Sequence, residues 1–264
     1  MREIVLESWQ AFETEIDVLA NHLAAQKSDD PGYIARPIFR GQSRSDWGLQ
    51  TSIERYLGTE ISVETYNRYL LRIKPAVEAY TERSWTVERK VDTSLFPFGT
   101  VPNYEFMLYA RHHGFPSPLL DWSESPYVAL FFAYQQAKVD EAVSVYAFVK
   151  SLGHGRSGWA AAPNISAQGP YVTAHRRHFI QQCQYTIATK EIDDTWVYCA
   201  HDAYFQDAKD EEQDLLFKFI LPGEHKVKYL QRLQQMNLNA FTLFGTEESL
   251  MEMLAFREII ERDL

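Results

Sequence analysis

An arginine stands at the end of a short apolar segment, Ile38-Phe39-Arg40-Gly41-Gln42. Placing a charge beside a buried strand costs free energy unless the charge has a partner. The guanidinium is a planar fork of donors that fits phosphate or carboxylate, and the following glycine lets a ligand or another backbone come close. We therefore predict that Arg40 binds an anionic group, with Gly41 and Gln42 beside the ligand. The alternative is an ion pair between Arg40 and a buried carboxylate.

A carboxylate follows a second apolar segment, Leu119-Leu120, and stands next to an indole in Asp121-Trp122. An acid in this position can cap the next helix or pair with Arg40, and it can also act as a base or a metal ligand. The first two roles make Asp121 an organiser of a site, and the others make it a reagent. We place both residues in the candidate site.

Two further segments carry imidazoles, amides and an aromatic ring. One predicted helix ends in Arg111-His112-His113-Gly114. Because successive residues of a helix point about 100° apart, only one of the two histidines can face a given site. The other segment contains Tyr185, whose ring can stack on a planar ligand. No HExxH or CxxC pattern occurs, so we expect no metal site.

Three ordered blocks resemble the FRG domain, which is named for an F/Y-R-G tripeptide. The first is FRGQ followed by a D-W-x-L-x-x-S-x-x-R pattern, carried by Asp46, Trp47, Leu49, Ser52 and Arg55. The second is ARHHGFPSPLLDWSESPYVALFFAY, and the third is RRHFIQQCQYTI. The C-terminal AFTLFGTEESLMEMLA is also similar to the family's closing segment, so the resemblance runs from about residue 36 to residue 256.

The resemblance implies further members of the site. It indicates that His112 faces the cleft, that Ser52 belongs to the ligand-binding set, and that Gln181 takes the family's glutamine position. The chain departs from the family pattern at Ser117-Pro118, where Thr-Arg is expected, and this removes a second arginine. Cys183 stands where the family has glycine.

The FRG domain has been suggested to be akin to ADP-ribosyltransferases, and it occurs in bacteria and phages in settings that indicate toxin or anti-phage roles. In ADP-ribosyltransferases an early arginine or histidine holds NAD, and a late acid stabilises the oxocarbenium-like centre. The resemblance therefore implies binding of NAD, as substrate, or of a related nucleotide. It also implies ADP-ribosyl transfer to a protein or nucleic-acid acceptor, or cleavage of the N-glycosidic bond. No Glu-x-Glu or Gln-x-Glu follows Gln181, so the late acid is not identified.

The predicted site has two sets of residues. The catalytic set is Arg40, His112 and Asp121, and the ligand-binding set is Gly41, Gln42, Ser52, Trp122, Gln181 and Tyr185. Two other classes of function remain open. One is a non-enzymatic module that binds a nucleotide, a nucleic-acid end or a protein in the same cleft. The other is a metal-dependent nuclease, which requires several acids around one point.

Composition limits the partners of the chain. Its 264 residues are 45% hydrophobic and 14% aromatic, enough for one large core or two modest ones. The net charge of −10 argues against non-specific adhesion to nucleic acid or to an anionic membrane. The N-terminal MREIVLESW lacks a signal-peptide pattern, and no apolar run reaches about 18 residues. We therefore expect a cytoplasmic protein without a membrane partner.

The pattern of apolar residues predicts a single-domain α+β fold. Its N-terminal half is mainly helical, and its later half contains a small mixed or antiparallel sheet flanked by helices. We expect an N-terminal amphipathic helix in residues 1–30, with the periodicity running over residues 3–24, and an FRG-like domain in residues 31–264. Further predicted elements are a helix from Asn103 to 112 or 113, a buried helix at 127–134, strands at 185–189, 195–199 and 215–221, a short strand or extended piece at 240–244 and a closing helix at 247–261.

Overall fold

One mixed sheet runs through the protein. The computed structural model describes residues 1–29, 36–92, 101–150, 163–169, 177–207 and 214–261. The strands in these residues are β1 Arg2–Val5, β2 Ile38–Gln42, β3 Ile61–Ser62, β4 Leu120–Ser123, β5 Val143–Lys150, β6 Asn164–Gln168, β7 Cys183–Ile192, β8 Thr195–Tyr198 and β9 Asp214–Leu221. Their order across the sheet is β1-β9-β5-β2-β4-β7-β8-β3, and β6 pairs with β7 off this path. β1 lies parallel to β9, and the other pairs are antiparallel.

Helices cover the sheet and dominate the first half of the chain, which confirms the α+β class. The sheet itself is larger than predicted, because it also includes the strands β1, β2, β3 and β4 of that first half. The helices are α1 Trp9–Asp29, α2 Ser52–Leu57, α3 Val63–Thr81, α4 Tyr104–His112, α5 Pro126–Gln135, α6 Arg177–Ile180, α7 His201–Asp207, α8 Lys226–Gln235, α9 Ala240–Phe244 and α10 Glu247–Ala255. A 3-10 turn, Gly223–His225, precedes α8, and a π-helical turn, Phe256–Glu261, follows α10. In the described part of the chain, no helix combines the length and the apolar character that crossing a bilayer requires.

Helix α5 is the central buried helix, as its nearly uniform apolar sequence predicts. Ser125 caps it by accepting a hydrogen bond from the backbone of Val128, and Pro126 occupies its first turn. The helix crosses β2 at Gly41, where a Cβ atom would lie 1.8 Å from the carbonyl oxygen of Ala129. The glycine of the F-R-G tripeptide is therefore required for helix packing, and the group that approaches it closely is a backbone.

Three buried clusters hold the helices against the sheet. The first joins α1, α5 and α8 to the face of the sheet that carries Phe39 and Phe219. The second packs α3 and α4 against β7 and β8, around Tyr66 and Tyr185. The third lies under β2, β4 and β5, with partly buried rings of α7 against it, and contains Trp122. Because β2 and β4 contribute to these clusters, their polar residues are held in fixed positions.

Two elements differ from the expectation. The helix predicted from residue 3 begins at Trp9, because residues 2–5 pair with β9 as an edge strand. The segment 240–244 is helix α9 and not a strand. Asn239 and Thr242 form a reciprocal capping box at its start, and Gly245 ends it with φ 65°. In both cases the apolar residues are too few to distinguish the period of a helix from that of a strand. A backbone partner or a cap then determines the conformation.

The sequence also predicts a helix cap at Asn103 and a division of the chain at residue 30. Asn103 does precede α4, but its side chain makes no capping hydrogen bond. It instead accepts from the backbone of Glu88 and donates to Asn67, which ties the start of α4 to α3. The proposed division at residue 30 falls within residues 30–35, outside the described ranges, and it stays a prediction.

The burial of α5 predicts a large effect of truncation. Leu130 is fully buried. We expect Leu130→Ala to lower the free energy of unfolding by about 2–5 kcal/mol, because the cavity cannot close in a well-packed core. Urea denaturation measures this change. Met251→Ala, at an exposed position of α10, is the control and should change stability by less than about 0.5 kcal/mol. Equal effects of the two substitutions would contradict the assignment of α5 to the core.

Candidate functional site

A cleft opens where strands β2 and β4 separate. The two strands are neighbours, but only Phe39 and Ser123 pair between them, whereas β2 pairs with β5 along its full length. Beyond that pair a side chain replaces the ladder, since Nη1 of Arg40 donates to the backbone oxygen of Asp121 at 2.8 Å. The gap continues into a cleft of about 860 Å³. This volume lies within the range of small-molecule sites, about 300–1,000 Å³.

All nine residues of the predicted site line this one cleft. They are Arg40, Gly41, Gln42, Ser52, His112, Asp121, Trp122, Gln181 and Tyr185. The structure therefore brings together three blocks that are far apart in the sequence. Their roles in catalysis and binding stay predictions, and the contacts of each side chain indicate which roles are physically open to it.

Asp121 is paired with Arg111 and not with the guanidinium of Arg40. From the last turn of α4, Arg111 donates through Nε to Oδ1 at 2.5 Å and through Nη2 to Oδ2, which makes a bidentate pair. The expected pairing of Asp121 with Arg40 is thus wrong. The expected capping role is also wrong, since Ser125 caps α5. The Asp121 side chain remains 43% exposed, against 13% for Arg111, because its carboxylate faces the cleft.

The two partners keep each other charged. Desolvation opposes ionisation of Asp121, but the charge and the hydrogen bonds of Arg111 outweigh it and hold the pKa of Asp121 below its ordinary value. Desolvation also lowers the pKa of Arg111, and the charge of Asp121 more than compensates, so this pKa lies above the ordinary value. The pair is therefore ionised throughout the neutral pH range.

Arg40 is left with few acceptors because Arg111 occupies both carboxylate oxygens of Asp121. Its hydrogen bond to the Asp121 backbone is the one bond it makes among the described residues, and its Nε atom is buried without a partner. Desolvation lowers the pKa of Arg40 to about 10, against the attraction of Asp121 and with the repulsion of Arg111. The group is still protonated at neutral pH. A cation with unused donors at the cleft is suited to an anionic ligand.

Ser52 braces this arrangement. Its hydroxyl oxygen accepts from Nη1 of Arg111 at 3.0 Å and from the backbone N–H of Ser117 at 2.9 Å, and the hydroxyl lies 3.3 Å from the Ser117 carbonyl oxygen. The side chain thus joins the start of α2 to the end of α4 and to the segment before β4. Because protein groups already use the hydroxyl, the contacts of Ser52 favour a role in positioning Arg111 over direct ligand binding.

Tyr185 links two histidines. Its hydroxyl lies 2.9 Å from Nε2 of His112 and 3.3 Å from Nδ1 of His178. Desolvation raises the pKa of Tyr185 far above its ordinary value, so the hydroxyl keeps its proton. The ring is fully buried, and the rings of Tyr104 and both histidines pack around it. Its faces are therefore covered by protein, which argues against the predicted stacking of a ligand on Tyr185.

Trp122 and the two glutamines are also tied to the protein. The Trp122 indole is buried and donates to the hydroxyl of Thr186 at 2.7 Å. Gln181 donates to the carbonyl oxygen of Leu243 at 2.9 Å. Gln42 donates to the carbonyl oxygen of Gly48 at 2.9 Å, and its own Oε1 atom is buried without a partner. Of these residues, Gln42 keeps a polar atom that the described protein groups do not satisfy.

Sequence reasoning missed Arg111 and Trp47. Arg111 stands ten residues before its partner Asp121, a spacing that no periodic pattern connects. One signal in the sequence does point to Arg111, because it is a cation in the last turn of a helix whose buried face is apolar. Trp47 belongs to the first motif block, but the motif does not indicate that its indole is 49% exposed at the cleft.

Two other kinds of site can be compared with the geometry. Among the described residues, no group of three or more histidine, cysteine, aspartate or glutamate side chains is arranged to hold a metal ion. Cys183 lines the cleft, and desolvation raises the pKa of its thiol to about 12. The thiol is therefore protonated at neutral pH, which disfavours it as a nucleophile.

Comparison with known proteins identifies the segment that forms most of the cleft. Residues 35–142 match the family model of the FRG domain, the family that the motif blocks indicate. The match contains the first two of the three motif blocks and ends before the third. No curated protein and no solved structure shows a significant match to the chain.

The Arg111–Asp121 pair predicts a pH-dependent stability. The pKa of Asp121 is lowered in the folded state. Its contribution to the free energy of unfolding is therefore fully present above the pKa of the unfolded chain, about 4, and is lost as the pH falls through the pKa of the folded protein. We expect Asp121→Asn to cost about 1–3 kcal/mol at pH 7, less than a fully buried pair because the carboxylate is partly exposed. Urea denaturation at pH 7 and at acidic pH should show this difference shrinking. A constant difference would contradict the ionic contribution.

Proposed function

We propose that the FRG domain of this protein binds NAD or a related nucleotide in the cleft between β2 and β4. The observation that carries the proposal is the state of Arg40. Its guanidinium is protonated, desolvated and hydrogen-bonded to one backbone oxygen, while the neighbouring carboxylate is ion-paired with Arg111. Such a group gains the most from a ligand that brings its own negative charge, and a diphosphate has several acceptor oxygens for a bidentate contact.

The shape and the other walls of the cleft support a nucleotide. The cleft volume of about 860 Å³ is sufficient for a ligand of this size. Aromatic side chains line it beside the polar groups, including Trp47, Phe132 and Phe244. A nucleotide combines an anionic group with a planar ring, which matches a cation and apolar rings in one cleft.

The proposed reaction is cleavage of the N-glycosidic bond of NAD, which releases nicotinamide and passes the ADP-ribosyl group to water or to a protein or nucleic-acid acceptor. Asp121 is the group that we assign to stabilise the positive charge developing on the ribose, because Arg111 keeps it ionised while it faces the cleft. We assign His112 to take the proton of the attacking hydroxyl. A toxin or an anti-phage effector would use this chemistry.

A second candidate is a binding module without turnover. The bidentate pair occupies both oxygens of Asp121, which limits the carboxylate as a reagent. In that case the same cleft binds a nucleotide, and the ion pair serves only to leave Arg40 available. The two candidates agree on the ligand and differ in whether nicotinamide is released.

Ligand binding should depend on the fork of Arg40. We expect NAD, ADP-ribose or ADP at a hundred times its dissociation constant to stabilise the protein by about 2.7 kcal/mol in thermal denaturation. Arg40→Lys keeps the charge but loses the bidentate geometry, and it should weaken this binding about 10- to 100-fold. The control is Arg68→Lys, on the exposed face of α3, which should bind as the wild type does.

Chromatographic detection of nicotinamide then separates the two candidates. Release that stops in Asp121→Asn supports the enzyme, and binding without release supports the module. If no nucleotide stabilises the wild type, or if Arg40→Lys binds as tightly as the wild type, the nucleotide proposal is wrong.

A further inference from the structure

The indole of Trp47 lies at the cleft, and no described residue bonds to it or stacks on it. Of the tryptophans whose side chains the structure describes, it is the only exposed one, at 49%. It lines the cleft that also contains Arg40. Within the described ranges, the indole makes no hydrogen bond and no ring contact. An exposed apolar ring costs free energy in water unless another surface covers it.

The backbone beneath this indole is anchored on several sides. Arg44 and Asp46 form a bidentate pair at 2.9 and 2.7 Å, just before the tryptophan. The carbonyl oxygen of Trp47 accepts a hydrogen bond from the hydroxyl of Tyr146 at 2.8 Å. The carboxylate of Asp202 accepts from the backbone N–H of Leu49. The ring therefore projects from a backbone that is already fixed, which lowers the entropy cost of a contact with a ligand.

The same turn is connected to the arginine strand. Arg40 and Gln42 lie on one face of β2, since side chains alternate along a strand, and they are separated by about 7 Å. Gln42 donates to the carbonyl oxygen of Gly48, the residue after Trp47. This hydrogen bond ties the turn that carries Trp47 to the strand that carries Arg40. Both residues line the same cleft.

We propose that Trp47 stacks on the base of the bound nucleotide while Arg40 holds its phosphates. This inference rests on the proposed nucleotide site and adds the orientation of the ligand. A fixed aromatic face binds bases through stacking with little dependence on their hydrogen-bonding pattern. The ligand class is therefore a nucleoside diphosphate or a molecule that contains one, and a diphosphate without a base loses the contact with Trp47.

Isothermal titration with two probes tests the orientation. Trp47→Ala should weaken the binding of ADP about tenfold, in line with stacking on a single aromatic ring, and leave the affinity for inorganic pyrophosphate unchanged. Trp47→Phe should retain most of the ADP affinity. The control is Tyr80→Ala, which removes an aromatic ring that is 91% exposed on α3 and does not line the cleft. It should bind both probes as the wild type does. Arg40→Lys should weaken the binding of both.

The outcomes distinguish this inference from the one on which it rests. If ADP binds and Trp47→Ala leaves its affinity unchanged, or lowers the affinity for ADP and pyrophosphate equally, the stacking role is wrong and the nucleotide site stands. If the wild type binds pyrophosphate and ADP with the same affinity, the base is not held and the orientation is wrong. If the wild type binds neither probe nor NAD, the proposed function fails and the orientation fails with it.

Discussion

The bidentate pair between Arg111 and Asp121 is the interaction on which the cleft depends. It joins the end of α4 to strand β4, and through Ser52 it also fixes the start of α2. Two charges this close to the core are tolerated because each compensates for the desolvation of the other. This pairing determines the state of Arg40. If Asp121 had no other partner, its carboxylate would form the ion pair with Arg40 instead. The pair thus separates a structural cation from one that is available to a ligand.

The sequence predicts the fold where several signals agree. Helix α5 is apolar on all sides, and its serine cap and first-turn proline agree on where it begins. Short segments are harder. β1 and α9 each contain about four or five residues, too few for a period to be distinctive, and their conformation depends on a distant strand or a local cap. The α+β class was therefore predictable, and the edges of the sheet were not.

The membership of the site was more predictable than the contacts within it. Motif blocks identify polar residues at the ends of apolar segments, and in this fold such ends converge on one cleft. The partner of a charged group depends on angles and distances that a motif does not contain. The sequence therefore suggests Arg40 as a partner of Asp121, although Arg111 reaches Asp121 from the neighbouring helix. Similarly, Tyr185 was expected to offer a ring face, which its burial precludes.

The sheet has a sparsely bonded junction between β2 and β4, where one backbone pair joins the two strands. The group β1-β9-β5-β2 and the group β4-β7-β8-β3 are each held by continuous ladders. Among the described residues, the hydrogen bonding between β2 and β4 consists of one residue pair and one arginine side chain. Among the described strands, this junction has the fewest backbone pairs. A ligand bonded to both strands would add a connection at this junction and would thereby stiffen the sheet.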